Sequence, residues 1–217
     1  MNLGVLGSSG GSAFGAMQDI IERTRPGAVA WFVATDRACG LEELARERGF
    51  PALRVAGDNA ARSAEAANFF AAHAVSAVLL YYDRLVTAEL YARIPTVNFH
   101  PAVLPAFPGL RALERTYAAG ASEFGATTHV VDASVDGGPV IAQVRAPLPA
   151  VAFEELAHIS FVQKTYLALL VVDGLLRGTL AIRPGGAPPR WLGAPELAAD
   201  LAEAYADFAG REQVALA

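Results

Sequence analysis

Short apolar runs alternate with longer stretches of helical apolar spacing through the first half of this chain, and no other feature limits its fold as much. Asn2–Gly7 (NLGVLG), Ala28–Ala34 (AVAWFVA), Leu53–Val55 and Ser76–Tyr82 (SAVLLYY) read as strands. Ala13–Arg23, Leu41–Arg48 and Ala60–His73 lie between them and read as helices. Strand–helix–strand units of this length close a parallel sheet through right-handed crossovers. The expectation is an α/β chain built on a doubly wound, mostly parallel sheet with helices on both faces.

The second half adds other elements. Thr96–His100 reads as a strand and Ala112–Ala119 as a helix. Ala126–Val131 and Val140–Ala146 flank the turn DGGP and read as an antiparallel edge pair. Phe153–Arg177 reads as a long helix, broken or kinked near Gly174. Arg183–Arg190 (RPGGAPPR) carries too much Pro and Gly for regular structure. Pro195–Ala209 reads as a closing helix. No repeat and no boundary precede residue 183. Residues 1–182 are therefore expected to form the main unit, with 183–217 as a loop-and-helix extension. That extension could cover a site, pack on the main unit or join a second copy.

Composition removes several classes. Hydrophobic residues make up 53% of the 217 residues and charged residues 18%, enough apolar material for a sizeable core. The formal charge of −5 and the lack of a Lys/Arg cluster argue against a nucleic-acid surface. A single cysteine, Cys39, excludes an intramolecular disulfide and fits a reducing cytoplasm; it reads as an inert buried thiol. No Cys/His cluster suggests a metal site. The start MNLGVLGSSGG lacks the pattern of a secretory signal, and apolar runs such as YLALLVV are short for a membrane span.

Chemistry gathers in three places. The first is GSSGGS, Gly7 to Ser12, between a strand and a helix. Small residues there let backbone N–H groups approach an anion at the helix N-terminus, or simply make a tight connection. The second is VNFHPAVLPAFPG, Val97 to Gly109. On an extended chain Asn98 and His100 point to one side while Phe99 points into the packing. An amide beside an imidazole at a strand end suits oxyanion stabilisation and proton transfer, or a hydrogen-bonded cap. The third is DASVDGGPVIAQ, Asp132 to Gln143. Asp136 is either an ordinary turn residue or a carboxylate poised to exchange a proton with His100. Spacing alone does not bring the two together.

The segment NFHPAVLPAFPG, followed by VDGGPVIAQ, resembles the folate-dependent formyltransferases. The first strand, its glycine turn, LLYYDRLVT and the long helix match that family in position, so the resemblance spans roughly 1–182. It implies a Rossmann-like formyltransferase fold, with 1–182 as the catalytic domain. It implies transfer of a formyl group from 10-formyltetrahydrofolate, as co-substrate, to a primary amine through a tetrahedral intermediate, without metal. Pro108 precedes the last Gly of the motif, as in the glycinamide ribonucleotide branch. Methionyl-tRNA and many sugar formyltransferases carry Arg there, and the residues after 182 are too few for a tRNA-binding domain.

The resemblance assigns roles. Asn98 holds the formyl oxygen. His100 stabilises the oxyanion. Asp136 keeps His100 charged and relays the proton through water. The pterin lies between Arg84, Leu85 and Val86 on one side and the loop from Val131 and Asp132 to Asp136 on the other. Gly11 and Ser12 bind an acceptor phosphate, and Pro101 borders the acceptor channel. Two positions depart from the glycinamide branch: Ala13 replaces an Asn, and Lys164, beside Gln163, falls where a Glu contacts the acceptor ribose. The acceptor is therefore glycinamide ribonucleotide or a related amine, with an amino sugar or natural-product amine as the alternative. A formyltetrahydrofolate hydrolase and an inactive binding homologue are the rival classes. A monomer or homodimer is expected, in the cytoplasm, with no nucleic acid or membrane partner.

Other residues read more simply. His129, in a strand pattern, suits a hydrogen-bonded pocket or core position. His73 and His158 fall on helices and read as surface or boundary residues. Tyr81 and Tyr82 could narrow the cleft or only pack. Asp83 is expected to pair with its neighbour Arg84.

Overall fold

The computed structural model describes residues 1–214. Five strands, β1 (Asn2–Gly7), β2 (Ala30–Thr35), β3 (Ala52–Arg54), β4 (Ala77–Tyr81) and β5 (Thr96–His100), run parallel. β6 (Glu123–Val130) is antiparallel to both β5 and β7 (Val140–Pro147). The sheet order is β3-β2-β1-β4-β5-β6-β7. It reverses direction between β1 and β4, and ligands of such sheets bind outside the carboxyl ends of the strands at that switch.

Helices cover both faces. α1 (Ser12–Thr24), α6 (Phe153–Arg177) and α7 (Ala199–Arg211) share one core with Phe99, Leu79 and Val5. The opposite core joins Phe70 of α3 (Asn59–Ala72) and Leu90 of α4 (Ala88–Tyr91) to Leu80, Val78 and Val131. α2 (Gly40–Glu47) packs on β2, and α5 (Ala112–Ala118) follows the motif loop. Strand alternation sends the adjacent Tyr81 and Tyr82 to opposite faces, one into each core.

Several expectations need correction. α4 is a four-residue helix hidden in a stretch with no clear period. α6 runs without a break through Gly174. The glycine is there for space: a Cβ would lie 2.8 Å from Leu180 Cβ and from the Trp191 ring. With 25 residues, α6 is long and apolar enough to cross a bilayer by length and composition, contrary to the reading of short runs. Its apolar residues instead fill the core between α1 and the sheet. The Pro/Gly loop is bracketed by a small ladder, β8 (Leu180–Ala181) with β9 (Arg190–Trp191). Asp83 pairs with Arg37 at 2.9 Å, not with Arg84, which binds Asp36 instead. Cys39 is half-buried at the start of α2 rather than enclosed.

The tail packs on the domain. Asp173 of α6 is wholly buried, yet no polar valence is left open. It accepts from Arg25 at the end of α1 (2.7 Å) and from the Ala198 N–H that opens α7 (2.8 Å), and it forms an ion pair with Arg177 (3.1 Å). Leu201, Tyr205, Phe208 and Ala209 of α7 join the core. The loop before it packs against α4 and the loop after β6: Gly185 N–H bonds Tyr91 O at 2.7 Å. A Cβ on Gly186 would fall 2.4 Å from Asp132 Cβ. The last three residues of the expected extension lie outside the described residues.

Candidate active site

β5 ends at His100 and delivers the motif loop to the sheet mouth. Thr127 of β6 stitches that loop down. Its hydroxyl donates to Ala102 O (2.7 Å) and accepts from Leu104 N (3.0 Å) and from Gln143 of β7 (3.0 Å). Gln143 also donates to Leu104 O at 2.8 Å. The end of β5 and its loop are thus held by the antiparallel pair, not by local turn chemistry alone.

The loop after β6 brings Asp136 back over β5. Gly138 makes this possible, because a Cβ there would sit 1.9 Å from Val130 O. Asp136 itself has φ 53, a left-handed conformation that Asp tolerates better than most residues. Its carboxylate then meets His100, as expected, and three further groups. Oδ2 lies 3.2 Å from His100 Nδ1 and accepts from Gly109 N at 2.7 Å. Oδ1 accepts from Asn98 Nδ2 at 3.1 Å and stands 3.4 Å from His129 Nε2. Asn98, His100 and Asp136, separated by up to 38 positions in sequence, form one cluster, with Asn98 hydrogen-bonded to the Asp136 carboxylate and His100 within ion-pair distance of it.

Electrostatics divide the three. Burial works to raise the Asp136 pKa. The His129 imidazole, the Gly109 N–H and the charge of His100 outweigh it and hold the carboxyl at about 2. Burial draws His100 below its ordinary value, with Asp136 and the Phe107 carbonyl, 2.9 Å from Nε2, opposing without reversing it. Against the expectation that Asp136 keeps His100 charged, burial is the larger influence on the imidazole, and Asp136 offsets it only in part. The Asn98 amide is also occupied, between Asp136 Oδ1 and His129 Nε2 (3.1 Å each). One N–H must turn away before it can hold a formyl oxygen.

His129 is buried, as its strand pattern suggests, but it also touches both Asn98 and Asp136. The signal was the register: Asn98 lies directly opposite His129 on the β5–β6 ladder, which sequence spacing does not reveal. The carbonyl of Phe107 and the N–H of Gly109 were likewise invisible, being backbone groups of a loop.

Of the other expected residues, Val86 and Val131 meet in the core beneath the mouth. Leu85, just after β4, and Val135, just before Asp136, leave more than half their surface in solvent. Arg84 is drawn away to Asp36, whose side chain is 1% exposed. Asp132 accepts from Ser134 N at 2.8 Å and shapes its own loop. Gly11 (φ 69) and Ser12 open α1 with no side-chain cap and no acidic residue in the first turn. Pro101 follows His100, half-buried. Lys164 lies on α6 and is not part of the hydrogen-bonded cluster. No group of three or more His, Cys, Asp or Glu is arranged for a metal among the described residues.

Residues 1–157 match the formyl transferase family model. The chain belongs to that family. It is a folate-dependent N-formyltransferase, with 10-formyltetrahydrofolate as the donor co-substrate. It is 34% identical over 161 residues to a phosphoribosylglycinamide formyltransferase of Mycobacterium tuberculosis, covering 71% of this chain and 74% of that protein. The structure is similar to glycinamide ribonucleotide transformylase 1 of Symbiobacterium toebii, with TM-score 0.76, 33% identity, and 89% and 94% of the two chains covered. A shorter match, 43% over 68 residues, reaches a formyltetrahydrofolate deformylase of Escherichia coli, covering 30% of this chain and 24% of that one.

Proposed function

We propose that this formyltransferase carries a formyl group to glycinamide ribonucleotide or to a related anionic primary amine. The observation that supports it is the Asn98–Asp136–His100 cluster at the sheet mouth, with separations of 3.1 and 3.2 Å. In this reading the pterin rests on the exposed Leu85 and Val135, with Arg84, Val86, Val131 and Asp132 around it. The neutral amine attacks the formyl carbon, and the carbonyl π pair moves to oxygen. An Asn98 N–H, released from the network, and His100 stabilise that oxyanion. The ammonium proton passes by way of Asp136 or a water to the folate nitrogen as the carbon–nitrogen bond to folate breaks. Gly11, Ser12, Pro101 and Lys164 face the acceptor. Residues 1–182 act as the catalytic portion, with α7 as a buttress, in a soluble cytoplasmic enzyme.

The deformylase match makes water the competing acceptor. Both readings are separated by following loss of the formyl group from 10-formyltetrahydrofolate with and without glycinamide ribonucleotide. Turnover that requires the amine supports transfer. Equal turnover without it would establish a hydrolase. Tight folate binding without either would mean another amine is the acceptor.

A further inference from the structure

Among the 17 Lys and Arg residues, Lys164 is the only lysine. Every surface ion pair of the described residues therefore uses arginine or histidine as its cation. Lysine is a compact charge on a flexible stem, chemically distinct from the guanidinium fork. This one is half-buried, and burial draws its pKa down. No carboxylate or hydrogen-bond acceptor meets it among the described residues, although the chain pairs arginines readily at the opposite end of the same helix.

Its neighbourhood is equally unpartnered. Ser160, one turn earlier on the same stripe of α6, is 1% exposed and its Oγ has no partner. Tyr81, at the end of β4, stacks on Phe99 (5.1 Å, 17°) and packs in the same core as α6. Its Oη is enclosed without a partner, and burial raises its pKa.

These groups stand at the mouth. The Arg25–Asp173 pair ties the last turn of α1 to α6. β7 runs parallel to β5, and α6 returns from β7 as α1 returns from β1, so the two helices are parallel. Ser12 precedes Arg25 by as many residues as Ser160 precedes Asp173. At 1.5 Å per residue, both lie roughly 20 Å above the tie, level with the uncapped N-terminus of α1. Lys164 begins one turn lower, and helical side chains lean toward the N-terminus, which is toward the mouth.

We propose that Lys164, with the hydroxyls of Ser160 and Tyr81, forms an oxyanion-binding wall that selects amines bearing a carboxylate or phosphate at this place, rather than a neutral polyol. The consequence for catalysis rests on the formyl-transfer reading; the binding site itself does not. A cation that meets no counter-ion among the described residues, on a wall that also carries two hydroxyls without partners, is completed by an anion and by little else.

The single lysine gives a direct test on the intact protein. The chain is acylated with an N-hydroxysuccinimide ester, and labelling of Lys164 is read by peptide mass relative to the Met1 amine. Inorganic phosphate, malonate, ribose and chloride are compared at matched ionic strength. Phosphate or malonate should slow Lys164 labelling by about tenfold, because an anion beside the ammonium raises its pKa and withdraws the free amine. Whichever anion protects identifies the source. Tyr81→Phe should weaken that protection. Equal rates in all four solutions would overturn the proposal, as would protection by ribose alone. A Lys164 inert in every native sample but reactive after unfolding would overturn it too, since no ligand could then reach it. Tetrahydrofolate binding is measured on the same sample, so failure of the formyl-transfer reading is seen separately.

Discussion

The two walls of the cleft contrast in their polar bookkeeping. Around Asp136 each side chain of the cluster has a partner, and the carboxylate alone meets His100, His129, Asn98 and Gly109 N–H. On the α6 wall Tyr81 Oη and Ser160 Oγ have none, and neither has the amine of Lys164 among the described residues. A satisfied buried network is rigid and pre-set for charge that develops during reaction. An unsatisfied one is costly until something binds. The first wall is read as serving the chemistry common to the family, and the second as choosing what the chemistry is done to.

The contrast can be broken by substitution. His100→Ala should lower the rate of formyl transfer by about 10²–10³, the usual effect of removing an oxyanion stabiliser. Unchanged turnover would remove His100 from the reaction. Lys164→Met should raise KM for an acid-bearing acceptor by about tenfold, as loss of one charge-assisted hydrogen bond of ~1.5 kcal/mol requires. KM for folate should stay near its starting value, and equal rises in both constants would dissolve the distinction between the walls.

Acid sharpens it further. Asp136 has a folded pKa of about 2 against an ordinary 3.8. Its ionised form therefore stabilises the fold above 3.8, and that contribution is lost as pH falls toward 2, about 2 kcal/mol in all. His100, also held below its ordinary 6.5, acts with the same sign, since folding favours its neutral form. Stability in urea should hold near neutrality, decline below 6.5 and decline again below 3.8. Asp136→Asn should remove much of the second decline, whereas Lys164→Met should leave both in place. The smallest effect is expected at Gly186. A methyl group there presses on Asp132, and a few-fold rise in KM for folate, with kcat unchanged, would mark contact between the tail loop and the donor side.

Much of this was legible in the residues themselves. The alternation of NLGVLG, AVAWFVA and SAVLLYY with helical stretches determined a parallel sheet, because strand and helix periods are local properties of a chain. The paired motifs around Asn98, His100 and Asp136 named the chemistry. Local pattern could not see Gly174, whose place depends on Trp191 and Leu180 arriving from later in the chain. Nor could it see that Arg84 prefers Asp36 to its neighbour Asp83, since a buried carboxylate just after β2 outcompetes an exposed one next door. The tertiary structure alone decided that His129 touches Asn98 and Asp136, that burial draws the His100 pKa down, and that Lys164 meets no counter-ion among the described residues. Each of these depends on which groups are absent from the space around a side chain, and absence in three dimensions has no local signature in a sequence.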